Sequence, residues 1–207
     1  MEKEALILVD LQADFTQVKK GNLAVPGTDE VYLRLVEEGL RRASMRGLLI
    51  FATQDWHPPN HISFYTNHPD KRAFDILQLG GREQILWPPH CIQGTEGARI
   101  LVDNNLFMAI VQKGRDPKYD SYSGFRDDGG KETELEAILR YHQIERVAIF
   151  GLALDYCVKA TALDAKDLGF AVTVVKGLSK GVSPETTLEA LKTMERAGIQ
   201  IREGIGF

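Results

Sequence analysis

A chain of 207 residues, 43% hydrophobic and 26% charged, has the length and balance of one globular domain spanning 1–207. Its formal charge of −4 offers no footprint for nucleic acid or an anionic membrane, and no apolar run is long enough to span a bilayer. Residues 1–4 lead straight into an apolar run with no secretory h-region, so the cytoplasm is the expected compartment and Cys91 and Cys157 are read as thiols.

The first predicted strand, residues 5–9, runs into Asp10. A helix follows over about 29–46, with Thr28 as N-cap, Gly47 as stop, and Val31, Leu35, Val36, Leu40 and Ala43 on one face. The second strand, 48–52, leads to Asp55 and His57. After it comes a loop-rich excursion over 57–104 that holds Pro58, Pro59, Pro69, Pro88 and Pro89, the kind of long connection that carries function. Residues 107–111 form the third strand and lead to Lys113. A capping box from Thr133 to Glu136 then opens a helix burying Leu135, Ile138 and Leu139.

The fourth strand, 147–150, leads through Gly151 to Cys157. Its helix starts near Asp155 or Tyr156, buries Val158, Ala162 and Leu163 or Ala165, and stops at Gly169. Residues 171–175 and 199–201 read as the last two strands. The helix between them begins at Ser183-Pro184, ends at Gly198 and turns Leu188, Leu191 and Met194 inward. Short apolar runs alternating with helical patterns predict a three-layer α/β sandwich, a six-stranded, mainly parallel sheet with helices on both faces.

In open parallel sheets ligands bind at the carboxyl ends of the strands. Here four strands end near an acid, an acid–imidazole pair, an amine and a thiol. Cys157, in the first turn of a predicted helix, is placed for a more accessible thiolate, and the turn's amides could hold an oxyanion; the alternative is a small core residue. Asp10, partly desolvated, would hold its proton more readily and could act as base for the thiol, or else merely cap a loop. Lys113 would steady both, or be a solvated strand end. Asp55 and His57, two apart in an extended segment, suit a divalent metal such as Zn, Mn or Fe, with His61 or His90 as third ligand. Cys91 lacks the helix terminus and is the weaker nucleophile.

Five blocks in order carry a resemblance. They are Asp10-Leu-Gln-Ala-Asp-Phe15, Asp55-Trp-His-Pro-Pro-Asn-His-Ile-Ser-Phe64, the stretch from Trp87 to Ala98, Lys113-Gly114 with Asp120-Ser-Tyr-Ser-Gly-Phe125, and Gly151-Leu-Ala-Leu-Asp-Tyr-Cys-Val158 with Thr161, Asp164 and Ala165. Together they resemble the nicotinamidase (pyrazinamidase) branch of the isochorismatase-like cysteine hydrolases. The resemblance implies hydrolysis of nicotinamide to nicotinate and ammonia through a cysteine thioester, in NAD salvage, with pyrazinamide also accepted. It implies Asp10, Lys113 and Cys157 as catalytic triad, and Asp55, His57 and His90 as ligands of one divalent metal, zinc first, that orients the pyridine ring. His61 is then set behind the ligands. Also implied are a cis peptide between Leu152 and Ala153, an oxyanion hole from the Ala153 and Cys157 amides, and a ring slot of Phe15, Trp87 and Tyr122. Residues 65–86 and 115–119 depart from shorter relatives; they would edge the pocket or a homo-oligomer interface and bear on substrate breadth.

Three rivals remain at this level. Another amidohydrolase of the same superfamily would not need the metal set, and isochorismate hydrolysis would not need the thiol. An inactive binding relative would usually have lost the nucleophile or the acid. A flavodoxin-like nucleotide binder would need a glycine-rich phosphate loop, which residues 10–14 lack.

Overall fold

Every residue from Ala5 to Val9 is buried, as expected of a strand covered on both faces rather than one. In the computed structural model, which describes residues 3–79 and 81–206, this segment is β1 (Glu4–Val9). It is followed by α1 (Glu30–Met45), β2 (Leu49–Asp55), a hairpin of β3 (Ile76–Leu79) and β4 (Arg82–Ile85), and β5 (Ala109–Lys113). Then come α2 (Leu135–Tyr141), β6 (Arg146–Gly151), a π-helical turn (Leu154–Val158), α3 (Lys159–Asp167), β7 (Ala171–Val175), α4 (Pro184–Arg196) and β8 (Gln200–Arg202).

Six strands form one sheet in the order β5-β2-β1-β6-β7-β8, and every pairing in it is parallel, not mainly so. Successive side chains of β1 serve two cores. Ala5, Ile7 and Val9 pack with Leu135, Val158 and Met194 under α2, α3 and α4, whereas Leu6 and Leu8 pack with Val36 and Leu40 of α1. Three helices thus cover one face, and one helix plus loop segments covers the other. The chain runs outward from β1 through β2 to β5, then returns to β6 on the opposite side of β1. The end of β1 is therefore the switch point where such sheets open a crevice. Among the described residues no helix is long and apolar enough to cross a membrane.

Several local expectations are corrected. The N-cap of α1 is Asp29, whose carboxylate accepts from the Tyr32 amide; the Thr28 hydroxyl is occupied by the Val25 carbonyl and the Gln17 amide. The buried stripe of α1 is Tyr32, Val36, Leu40 and Ala43. Val31 and Leu35, one helical step away, are exposed. In α4 the inward pair is Ala190 and Met194, Leu191 is half-buried and Leu188 faces out. Ser183 does cap α4, accepting from the Thr186 amide. No capping box forms at α2: Thr133 bonds the Gly124 carbonyl and the Leu135 amide, while Glu136 pairs with Arg140. The β3–β4 hairpin lies inside the stretch read as loop-rich.

Candidate active site

The polar residues expected just beyond the strands turn out to be partly within them. Asp55 is the last residue of β2 and Lys113 the last of β5, and the two are register partners on adjacent strands. Asp10 follows β1 directly with φ +46°, and Cys157 lies in the π-helical turn after β6. All four are buried. Gly151 is required between β6 and that turn: its φ is +130°, and a Cβ there would run into the Val9 carbonyl of the neighbouring strand. The Leu152–Ala153 peptide is cis.

Lys113 is the hub. Its Nζ lies 2.9 Å from Asp10 Oδ2 and 2.5 Å from Asp55 Oδ1, donates to the Ser121 carbonyl at 2.6 Å, and stands 3.6 Å from Cys157 Sγ. A carboxylate oxygen of Asp10, one of Asp55 and the Cys157 sulfur all lie within 4.8 Å of one another. The other Asp10 oxygen accepts from the Thr53 hydroxyl at 2.7 Å. Among the described residues, no carbonyl outside the turn takes a hydrogen bond from the Ala153 or Cys157 amide.

Burial sets the proton affinities, and the neighbours then divide them. Asp10 is pushed up to about 6 by burial, against the pull of Lys113. Burial works on Asp55 in the same direction, but Lys113 and then His57 outweigh it and hold that carboxyl well below the usual range. Lys113 is raised well above its ordinary value because its two carboxylates overcome burial. The Cys157 thiol is also raised well above its ordinary value, by burial and with Asp10 and Asp55 nearby, only partly offset by Lys113. This reverses the expectation of an accessible thiolate: the sulfur rests protonated and needs a base.

Asp55 belongs to a second cluster. One oxygen of Asp55 and ring nitrogens of His57 and His90 lie within 4.8 Å of one another, all three residues being buried. His57 Nδ1 is 2.9 Å from the Gly114 carbonyl and His90 Nδ1 is 2.7 Å from the Pro88 carbonyl. Each Nδ1 therefore carries the proton, leaving both Nε2 atoms, at 3.4 and 4.0 Å from Asp55 Oδ2, with free lone pairs. Two imidazole nitrogens and a carboxylate, oriented from behind, fit a divalent metal ion. Gly114 is needed for the orientation, because its φ is +65° and a Cβ there would land on the His57 ring. His61 differs: both its nitrogens are taken, by Ser63 Oγ at 2.7 Å and by the Tyr119 carbonyl at 3.1 Å, and its ring lies 4.2 Å from that of His57.

Phe15, Trp87, Tyr122, His90, Ala153 and Cys157 line one cleft, so the expected slot residues meet Cys157 and the Asp55, His57 and His90 cluster. Trp87 Nε1 donates to Tyr122 Oη at 3.0 Å. Three contributors were missed from sequence. Tyr156 stands edge-on to Trp87, with ring centroids 5.3 Å apart. Thr53 shares a strand face with Asp55 two residues on, which was a usable signal for its bond to Asp10. Gln12 clamps the Asp55 backbone, donating to its carbonyl and accepting from its amide, each at 2.8 Å; only its place in the first of the five blocks hinted at this.

The fold is that of the three-layer α/β proteins that work at the carboxyl ends of a parallel sheet. Residues 4–203 match the family model described as Isochorismatase domain. The chain belongs to the isochorismatase family. It is 41% identical to the nicotinamidase of Escherichia coli K12, over 96% of this chain and 93% of that one. Among solved structures it is similar to an Acinetobacter baumanii nicotinamidase pyrazinamidase (TM-score 0.88, 36% identity, covering 98% and 97% of the two chains). It is likewise similar to the Pyrococcus horikoshii pyrazinamidase in complex with zinc (TM-score 0.81, 40% identity, 99% of each chain).

Proposed function

We propose that this chain hydrolyses nicotinamide to nicotinate and ammonia, in the salvage of NAD, and takes pyrazinamide as well. The observation that carries the reading is the meeting of Asp10, Lys113 and Cys157 in a cleft walled by aromatic rings and closed by Asp55, His57 and His90. Relatives in bacteria named for this activity, similar over nearly their full length, support it.

The pyridine ring enters between Phe15, Trp87 and Tyr122, which suit its flat π face. Asp10 takes the proton of the Cys157 thiol, and the sulfur attacks the carboxamide carbon. The Ala153 and Cys157 amides receive the oxyanion. Asp10 then returns the proton to the departing nitrogen; the C–N bond breaks, ammonia leaves and a nicotinoyl thioester remains. For the second half, Asp10 takes a proton from an attacking water, the C–S bond breaks, and the proton goes back to the Cys157 sulfur. Lys113 stays charged throughout and offsets the negative charge that passes between Asp10 and the sulfur. A divalent ion on Asp55, His57 and His90, zinc first with Mn or Fe as alternatives, would supply a Lewis acid for the ring nitrogen and so fix the amide over Cys157.

Ammonia release from nicotinamide by the purified protein, read beside elemental analysis of bound metal, tests the reading; metal-loaded protein that releases none overturns it. His90→Ala should lose most of the metal, with affinity down at least about tenfold, whereas His61→Ala keeps it. Loss in His61→Ala with retention in His90→Ala would exchange their roles.

The pH profile follows from Asp10. The base must be a carboxylate, and its folded value is raised to about 6. On the acid side, kcat/KM should therefore fall as pH drops through about 6, approaching tenfold per unit below it. A rate that stays level down to pH near 4, the ordinary carboxylate range, contradicts Asp10 as that group.

A further inference from the structure

Residues 65–86 and 115–119, the two segments expected to edge the pocket, meet in the structure. Arg82 of β4 donates to the Lys118 carbonyl at 2.6 Å, and its guanidinium lies 4.5 Å above the Tyr119 ring. Gln84 is the buried residue of the hairpin, 2% exposed, while Ile76 on the partner strand is 54% exposed. Its Nε2 donates to Asp120 Oδ2 and to the Ile85 carbonyl, each at 2.8 Å. Asp120 is itself buried and lines the cleft, and its Oδ1 accepts from the Ser121 amide at 2.9 Å.

The sequence offsets give this contact its meaning. Trp87 comes three residues after Gln84, and Tyr122 two residues after Asp120, and these two rings are joined by the Trp87–Tyr122 hydrogen bond. The same pair of segments is thus tied by two rungs, one at the aromatic wall and one behind it. Between them, Ser121 offers its carbonyl to Lys113. Gln84 is the donor that a side chain of the hairpin brings to a buried carboxylate, a charge-assisted bond stronger than the neutral rung in front.

We propose that Gln84 and Asp120 are positioning residues that set the separation of Trp87 and Tyr122, so that the β3–β4 hairpin braces the aromatic wall of the ring slot from behind. The proposal rests on the slot reading above and extends it to substrate breadth: the latch holds the slot to the width of a single six-membered ring. Gln84→Glu would place two carboxylates against each other and push β4 outward. Adding Asp120→Asn restores the link between the two side chains with its polarity reversed, since the introduced amide can donate to the introduced carboxylate and still accept from Ser121, while the bond to the Ile85 carbonyl is given up in both variants.

The test compares wild type, Gln84→Glu and the double variant Gln84→Glu/Asp120→Asn. Kinetics are measured with nicotinamide and with quinoline-3-carboxamide, a fused two-ring amide, and nicotinamide affinity by calorimetry on a Cys157→Ala background. Gln84→Glu should raise KM and Kd for nicotinamide about tenfold, keep kcat within about threefold, and improve the relative kcat/KM for the two-ring amide. The double variant should return KM to within about threefold of wild type. A folded Gln84→Glu protein with unchanged KM, Kd and selectivity overturns the latch, as does a folded double variant that fails to recover. If Gln84→Glu does not fold, Gln84→Met, which keeps the volume and removes the donor, carries the same expectation with the same overturning result. Wild type that binds nicotinamide but releases no ammonia overturns the amidase reading alone, leaving the Kd comparison to decide the latch.

Discussion

Cys157→Ala is expected to cut ammonia release from nicotinamide by at least about 10⁴-fold while nicotinamide affinity stays within about threefold. The two halves of the expectation come from different parts of the site. The sulfur is the atom that would carry the acyl group, and among the described residues no other thiol shares its cluster with Asp10 and Lys113. The slot rings and the Asp55, His57 and His90 cluster are untouched by the change, so binding should persist. Steady-state kinetics with calorimetry on the variant checks both; residual activity within about tenfold of wild type would mean that the sulfur is not the nucleophile.

Lys113→Met should damage stability and rate together. The ammonium is fully buried between two carboxylates, with Asp10 at 2.9 Å and Asp55 at 2.5 Å. Taking away one member of a buried ionic group costs about 3–5 kcal/mol, because the charges left behind have no compensation. Methionine fills most of the volume, so packing contributes little. The pH dependence has a definite sign. Without the cation, Asp10, already raised by burial, would titrate higher still in the folded state, so the variant binds more protons folded than unfolded between the unfolded and folded values. Its stability should then fall as pH rises through that window, and the deficit against wild type should be larger at pH 7.5 than at pH 5. Denaturant unfolding at the two pH values reads this directly. On the kinetic side, loss of the charge that offsets Asp10 and the sulfur should lower kcat by about 10²-fold or more. An equal deficit at both pH values, or an unchanged kcat, would remove Lys113 from its central place.

Much of the architecture could be read from the chain because it follows from burial. The runs that become β1, β2 and β6 are apolar without alternation, and a strand covered on both faces leaves that pattern, whereas β5 is an edge strand whose Ile110 stays exposed. The ends of β2 and β5 could not be read in the same way. Thr53, Asp55 and Lys113 continue the strands with polar side chains, since the cavity that buries them supplies Lys113 with carboxylates and Asp10 with a hydroxyl, while the half-buried Gln54 and Gln112 bond each other. The helix faces were legible to within one step: Val36 and Leu40 face inward, but Val31 and Leu35 do not, because the stripe is centred on Tyr32 instead.

The site divides similarly. Strand ends alone brought Asp10, Asp55, Lys113 and Cys157 to one place, and they do meet. Position says nothing about charge, however: the turn that was to favour a thiolate is buried among two acids and raises the thiol instead. The Asp10, Lys113 and Cys157 cluster and the His57 and His90 cluster, which looked separable along the chain, share Asp55, one oxygen facing Lys113 and the other facing His57 and His90. The choice between His61 and His90 was open on residue type and spacing. Hydrogen bonding separates them, since His61 has both nitrogens engaged and His90 only one.

The central claim is that Cys157 carries the acyl group of the substrate. Acid quenching of the enzyme during turnover of nicotinamide, followed by peptide mass spectrometry, addresses it most directly. A nicotinoyl adduct on the peptide containing Cys157, absent from Cys157→Ala and from Asp10→Asn, is the predicted result. An enzyme that turns over while this peptide stays unmodified at every quench time, or that carries the adduct on another residue, would contradict the account.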